Sequence, residues 1–278
     1  MLPVRSMPDS LRNPRPSQDD AFDQVDVPAA VVCAVCGDAE CGGCANELSR
    51  SGVVTIIAWE RPGGRVLGKL WQTARATTRD AEAFFELLPD GPVGPALTFA
   101  LTCELVAATG TVLSLLMLIA IAAPGWLKHV VLDPASREFA IRLIVGGIPS
   151  LAVMLVLAHA AHGLSLDRGA RKSGARKDAR ARALRFGLYA SGWDLVIGPV
   201  GAIVVAAKEG IRAALGLFSM TVGLPTRSAR AFLRGCYQLQ GRDADRAVST
   251  SYVAAAVVTL LGAVVIIASA IAVVLAIG

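Results

Sequence analysis

Four long apolar stretches and one amphipathic stretch dominate the pattern of the chain. Leu105 to Ala123 holds nineteen uncharged residues. At about 1.5 Å of rise each, a helix of that length crosses a hydrocarbon layer of about 30 Å. Leu143 to Leu166 lies between Arg142 and Asp167 with no Lys, Arg, Asp or Glu inside it. Its Pro149 predicts a kink, which a membrane helix tolerates. Ala247 to Gly278 carries no charge, and Tyr252 near its start suits an interfacial anchor. Phe186 to Leu224 is different: its 39 residues are long for one crossing and short for two, and Asp194, Lys208, Glu209 and Arg212 interrupt it. That stretch predicts either two short helices turning near Gly198-Pro199 or a hairpin that does not cross fully.

Ahead of the first span, Val66, Leu67, Leu70, Trp71, Ala74, Ala81, Phe84, Phe85 and Leu88 recur at intervals of three and four, with Thr77 or Thr78 filling the missing turn. This spacing makes one helical face, opposite Lys69, Arg75, Arg79, Asp80 and Glu86. A helix ending in two Phe just before a span fits the membrane interface; packing on a small domain of its own is the alternative. Val53 to Trp59 is short enough for a strand. The first thirty residues mix Pro, Asp, Ser and Arg without an apolar run, the pattern of a disordered tail that is neither a signal peptide nor exported. The expected fold is therefore an all-α membrane protein of about five transmembrane segments. Its divisions are a tail (1–30), a Cys-rich segment (31–62), an amphipathic interfacial helix (63–92) and a polytopic membrane domain (93–278).

Composition sharpens this picture. Of the 278 residues 54% are hydrophobic and 18% charged, and the mean hydropathy is +0.56, which is more apolar side chain than a soluble core needs. With aromatics at 5%, the apolar mass suits packed helices and argues against a soluble enzyme or a barrel. Residues 1–95 carry nine basic and thirteen acidic groups, so the overall charge of +5 arises between the spans. The segment from Asp167 to Arg185 sets Arg168, Arg171, Lys172, Arg176, Lys177, Arg180, Arg182 and Arg185 against two Asp, a net of +6. Pro225 to Arg246 totals +3, whereas residues 124–142 total +1. Basic loops stay in the cytoplasm, so both belong on that side of the cell membrane, with the N-terminus inside and the C-terminus outside. The eight cations also predict attraction to anionic headgroups; with no aromatic residue interleaved among them, nucleic acid is not expected.

Cys33, Cys36, Cys41 and Cys44 form two CxxC pairs four residues apart, with Gly37, Gly42 and Gly43 relieving the tight backbone. A zinc ion held by four thiolates is the leading reading; an iron–sulfur cluster, redox dithiols and idle thiols are the alternatives. Cys103 and Cys236 stand alone as small packing residues. Residues 63–69 (GGRVLGK) match half of a phosphate-binding loop, but Leu70 stands where a hydroxyl would hold magnesium, so a Gly-rich turn into the amphipathic helix is expected. Glu104, Asp194, Lys208, Glu209 and Arg212 are the ionisable groups near membrane depth, where such residues mark a pathway or a partner. The bland account places Glu104 at the interface just before Leu105, neutralises Glu209 with Arg212, and lets Lys208 and Arg212 snorkel. His159 and His162 share a helix face, but no carboxylate or Cys stands near them in sequence, and an interfacial position is expected. No GxSxG, HExxH or His-Cys arrangement occurs, which lowers the expectation of an enzyme.

Residues 58–101 (AWERPGGRVLGKLWQTARATTRDAEAFFELLPDGPVGPALTFAL), 182–204 (RALRFGLYASGWDLVIGPVGAIV) and 222–231 (VGLPTRSARA) together resemble the Yip family of membrane proteins, in the bacterial form with a short Cys-rich head. The likeness covers roughly 58–275. It lies in a Trp-rich helix, a Phe-Phe pair, a Tyr-Ala pair and a Pro-x-Gly turn. The charges at Lys208, Glu209 and Arg212 depart from the family, which runs uncharged after that turn. The resemblance implies five membrane helices; eukaryotic members are associated with vesicle trafficking and Rab-type GTPases, while bacterial members largely lack an assigned function. It carries over no site residue. The expected role is a non-enzymatic membrane organiser or adaptor with protein and lipid partners. The alternatives are a small-solute transporter or channel component using the charged hairpin at Lys208–Arg212, and a metal or redox sensor using the Cys cluster.

Overall fold

In a computed structural model that describes residues 57–175, 179–221 and 223–277, every regular element among the described residues is a helix. All of them belong to one unit, Thr55–Gly278. The strand expected to end at Trp59 is not found: Ala58–Glu60 is a single 3-10 turn, and residues 53–56 lie outside the described residues. With no strand among the described residues to pair with, the backbone N–H of Trp59 donates to Thr73 Oγ1 (2.9 Å) and its indole to the Pro95 carbonyl (2.9 Å).

The Gly-rich segment is a turn. Gly63 and Gly64 adopt φ of 69° and 77°, and Lys69 Nζ donates to the Arg61 carbonyl at 2.6 Å. The turn leads into α1 (Val66–Arg79), which breaks at Asp80 before α2 (Ala81–Glu86). Leu70, Ala74, Phe84, Phe85 and Leu88 of the expected face are buried, as are Thr77 and Thr78, whose hydroxyls both bond the Ala74 carbonyl. Protein, not lipid, covers this face; only Val66 and Leu67 at its start remain exposed.

Helix α3 spans Val93–Ala122, α4 Pro124–Leu132 and α5 Pro134–Lys172. Asp133 caps α5 by accepting from the Ser136 N–H, and hydrogen bonding to the Ser136 hydroxyl, with this backbone bond second, holds its carboxyl below the usual value. Pro149 is absorbed within α5. The segment after it is broken: α6 (Arg180–Ala190), α7 (Gly192–Ile197), α8 (Pro199–Glu209) and α9 (Ile211–Thr221) are all short. Next come α10 (Leu224–Phe232), a π turn (Leu233–Tyr237) and α11 (Gly241–Ile277). Among the described residues three helices, α3, α5 and α11, are long and apolar enough to cross a membrane. The run from Arg180 to Ile197 and α8, bent by 58° at Gly198-Pro199, make a fourth such span among the described residues if they act together. Pro199 cannot donate to continue the helix, and the bend brings Gly201 so close to Val196 that a Cβ there would meet its carbonyl at 1.9 Å. The chain turns again at Gly210 (φ 91°), and α9, eleven residues long, rises only about 16 Å.

The core lies at one end of the bundle. Phe84, Phe85, Phe99, Phe186, Tyr189, Trp193 and Phe232 are buried together, with centroid separations down to 4.7 Å. Small residues let the helices meet there. A Cβ on Gly163 would lie 2.2 Å from the Ala183 carbonyl, and one on Gly187 2.1 Å from the His159 carbonyl, so α5 and α6 touch backbone to backbone. Both basic segments share this end: Tyr237 donates to Asp167 at 2.7 Å, and Ser173 reaches the Asp243 carbonyl at 3.4 Å. Away from the core the helices are bare, since only 11%, 11% and 6% of the most apolar stretches of α3, α5 and α11 are buried.

Candidate functional site

Three side chains from three helices meet beneath the aromatic core: Glu104 of α3, His159 of α5 and Asp194 of α7. His159 Nε2 lies 3.0 Å from Asp194 Oδ2, in hydrogen-bond geometry, and 3.2 Å from Glu104 Oε1. The close α5–α6 crossing at Gly163 and Gly187 brings α7 beside His159. Trp193 then fixes it, its indole donating to the Thr77 carbonyl at 2.7 Å while its ring stands edge-on to the His159 imidazole at 6.3 Å. Glu104 is fully buried, and neither of its carboxylate oxygens accepts a hydrogen bond from the described residues. A buried carboxylate in that condition is costly and requires a proton or a cation. Glu104 and Asp194 line one side of a cavity of about 480 Å³ whose other walls include Ala107, Leu155, Trp193 and Ile197. The Asp194 side chain is 44% exposed, so the cluster is reachable from the cavity.

This cluster corrects two expectations. Glu104 does not stand at a helix start ahead of Leu105, because its helix already begins at Val93 and the side chain is buried in the helix interior against α5. His159 does have carboxylates beside it; they come from 55 residues before it and 35 after it, distances at which no local pattern operates. His162, one turn further, is also buried, packed between Phe186 and stacked on Tyr252 at 5.5 Å. Neither of its ring nitrogens has a partner among the described residues.

The other candidate charges separate. Glu209 pairs with Arg79 at 2.6 Å and lies 4.0 Å from Arg75, not with Arg212, because Gly210 ends the helix between them and destroys the three-residue spacing. Lys208 and Arg212 are exposed. Of the basic segment, Arg168, Arg171, Lys172 and Arg180 are exposed, Arg171 being tied to the buried Asp167, while Arg182 pairs with Asp90 at 2.9 Å. Arg185 corrects the expectation of eight lipid-facing cations. It is fully buried, its guanidinium bonded to Glu60 at 2.6 Å, with Tyr189 donating to the same carboxylate. The helix α6 turns that position inward toward the aromatic core. Arg176, Lys177 and the cluster Cys33, Cys36, Cys41 and Cys44 lie outside the described residues. Cys103 and Cys236 are buried, as expected of packing residues.

No family model, no curated protein and no solved structure matches the chain, so these comparisons lend the Yip resemblance, or any other family, no support.

Proposed function

We propose that the chain is a multi-pass protein of the cell membrane that organises protein or lipid partners at the cytoplasmic face without catalysing a reaction. The observation that supports this is the asymmetry of the molecule: a packed aromatic body with both basic segments at one end, and long helices with bare apolar sides at the other. With the basic end inside, α3 runs outward, α5 returns and α11 runs outward again. The broken segment α6–α9 then enters from the cytoplasmic side and comes back to it, in line with the Glu209–Arg79 pair that ties the end of α8 to α1. Three full crossings plus this hairpin keep the N-terminus inside and the C-terminus outside. The thiolates of Cys33, Cys36, Cys41 and Cys44 would then face a reducing compartment, where such a cluster holds zinc in preference to forming disulfides.

Exposed Arg168 and Lys172, with Arg176 and Lys177 beside them in sequence, supply the attraction to anionic headgroups, on the order of 1 kcal/mol for each charge near the surface. Crosslinking in native membranes tests the role. The same partners should be recovered repeatedly, and changing these four residues together to Gln should weaken the recovery. Arg171 is spared because it compensates the buried Asp167. Unaltered partners in the four-Gln chain would remove the basic segment from the mechanism. The cavity beside Asp194, apolar but for Glu104, Thr111 and Asp194, favours a second reading, passage of a small solute. Flux into liposomes that depends on Asp194 would replace the organiser with a transporter.

A further inference from the structure

We propose that Glu104, His159 and Asp194 form a binding site for one divalent first-row transition cation, with Zn²⁺ and Mn²⁺ as the ions its donor set fits. This goes beyond the organiser role and does not depend on how the chain is threaded.

The first support is spacing. The three ligand atoms lie within 4.8 Å of one another, and Nε2 is 3.0 and 3.2 Å from the two carboxylate oxygens. Ligands bound at about 2.1 Å are separated by about 3.0 Å at a right angle and by about 3.4 Å at a tetrahedral angle. The protein already holds the imidazole nitrogen at nearly these separations from one oxygen of each carboxylate, so an ion can enter without refolding the helices. The second support is the Glu104 carboxylate, fully buried and lining the cavity, with no hydrogen bond to either oxygen among the described residues and with the His159 imidazole, 3.2 Å from Oε1, as its ion-pair partner. Charge is the third. Two carboxylates and a neutral imidazole sum to −2, which one divalent ion cancels in a medium where residual charge is expensive. One nitrogen and two hard oxygens suit zinc or manganese; the imidazole is out of place in an all-oxygen calcium site, and soft thiolate ligands are missing for Cu(I). Asp194 faces the cavity of about 480 Å³, which has room for waters to complete the coordination sphere.

Binding must displace protons from the cluster, so affinity should fall as pH is lowered. The test uses the full chain in detergent with Cys33, Cys36, Cys41 and Cys44 all changed to Ser, which removes the thiolates as competing ligands. Mn²⁺ is titrated and followed by the spin-resonance signal of the free ion, with Zn²⁺ as competitor. About one ion should bind per chain, and Glu104→Gln, Asp194→Asn and His159→Ala should each weaken binding by more than about tenfold. Glu138→Gln, an exposed carboxylate on the same helix as His159, should leave binding unchanged. Asp194→Asn guards against misfolding, because that side chain is 44% exposed. The proposal is overturned if the four-Ser chain binds no Mn²⁺, or if Glu104→Gln and Asp194→Asn bind as tightly as their parent. A chain that binds no ion but melts higher with Glu104→Gln assigns the cluster to a shared proton and likewise overturns the metal site.

Discussion

Removing the negative partner of the buried guanidinium should damage the fold more than any surface charge change. Arg185 is fully buried, the Glu60 side chain is 14% exposed, and Nη2 donates to Glu60 at 2.6 Å; Nε and Nη1 have no partner among the described residues. A pair this poorly satisfied adds little over an apolar replacement, yet breaking one side strands a charge at a cost of about 3–5 kcal/mol. Glu60→Gln should therefore cost about 3 kcal/mol or more. Arg185→Met should cost less, since Glu60 touches solvent and keeps the Tyr189 hydroxyl. The double change Glu60→Gln with Arg185→Met should be more stable than Glu60→Gln alone. Gly91 offers a second handle, because a Cβ there would stand 1.7 Å from Arg185 Nη1; Gly91→Ala should destabilise the wild type and be tolerated once Arg185 is Met. The assay is unfolding in mixed micelles with a rising fraction of denaturing detergent. Tryptophan fluorescence gives the signal: Trp59, Trp71 and Trp193 pack in or against the core, and the exposed Trp126 is replaced by Phe. A Glu60→Gln cost below about 1 kcal/mol, the value of an exposed pair, or strict additivity in the double change, would refute the reasoning.

The two basic segments should be cytoplasmic: reporter fusions at Gly174 and Gly241 should signal inside and one after Gly278 outside, and an external signal at Gly241 would sink the returning segment between them. Gly163→Ala and Gly187→Ala should each lower the melting temperature, because either Cβ falls within about 2.2 Å of a facing carbonyl; an unchanged melting temperature for both would mean that α5 and α6 do not touch. Hydrogen bonds from Arg234 hold the Glu86 carboxyl below its usual value, so this pair adds stability above the ordinary carboxylate pKa and loses it as pH falls through the lowered one. The melting difference between wild type and Arg234→Gln should accordingly shrink between about pH 6 and pH 3, and a constant difference would deny the pair. Purified chain should carry zinc that Cys33→Ser with Cys36→Ser removes; retention of that zinc, with the triad of Glu104, His159 and Asp194 changed as well, would exclude the thiolates as ligands.

Periodicity along the chain was enough for what depends on local free energy. The uncharged runs place α3, α5 and α11, since an apolar stretch of that length has one cheap environment, and the three-and-four spacing from Leu70 to Leu88 marks the face that becomes buried. Gly63 and Gly64 announced a turn because only glycine enters positive φ without penalty. The breaks at Gly198-Pro199 and Gly210 were half legible: proline and glycine mark where a helix can stop, but packing decides whether it turns. Partners were not legible. Arg185 has the same charge as Arg168, and the two differ only because α6 presses one into a core whose carboxylate comes from Glu60, 125 residues away. Glu104, His159 and Asp194 each have an innocuous local explanation, and their chemistry exists only where three helices cross. Side-chain electrostatics acts over a few ångströms of space whatever the separation in sequence, so the distribution of charge could be read from the chain, but its pairing required the tertiary structure.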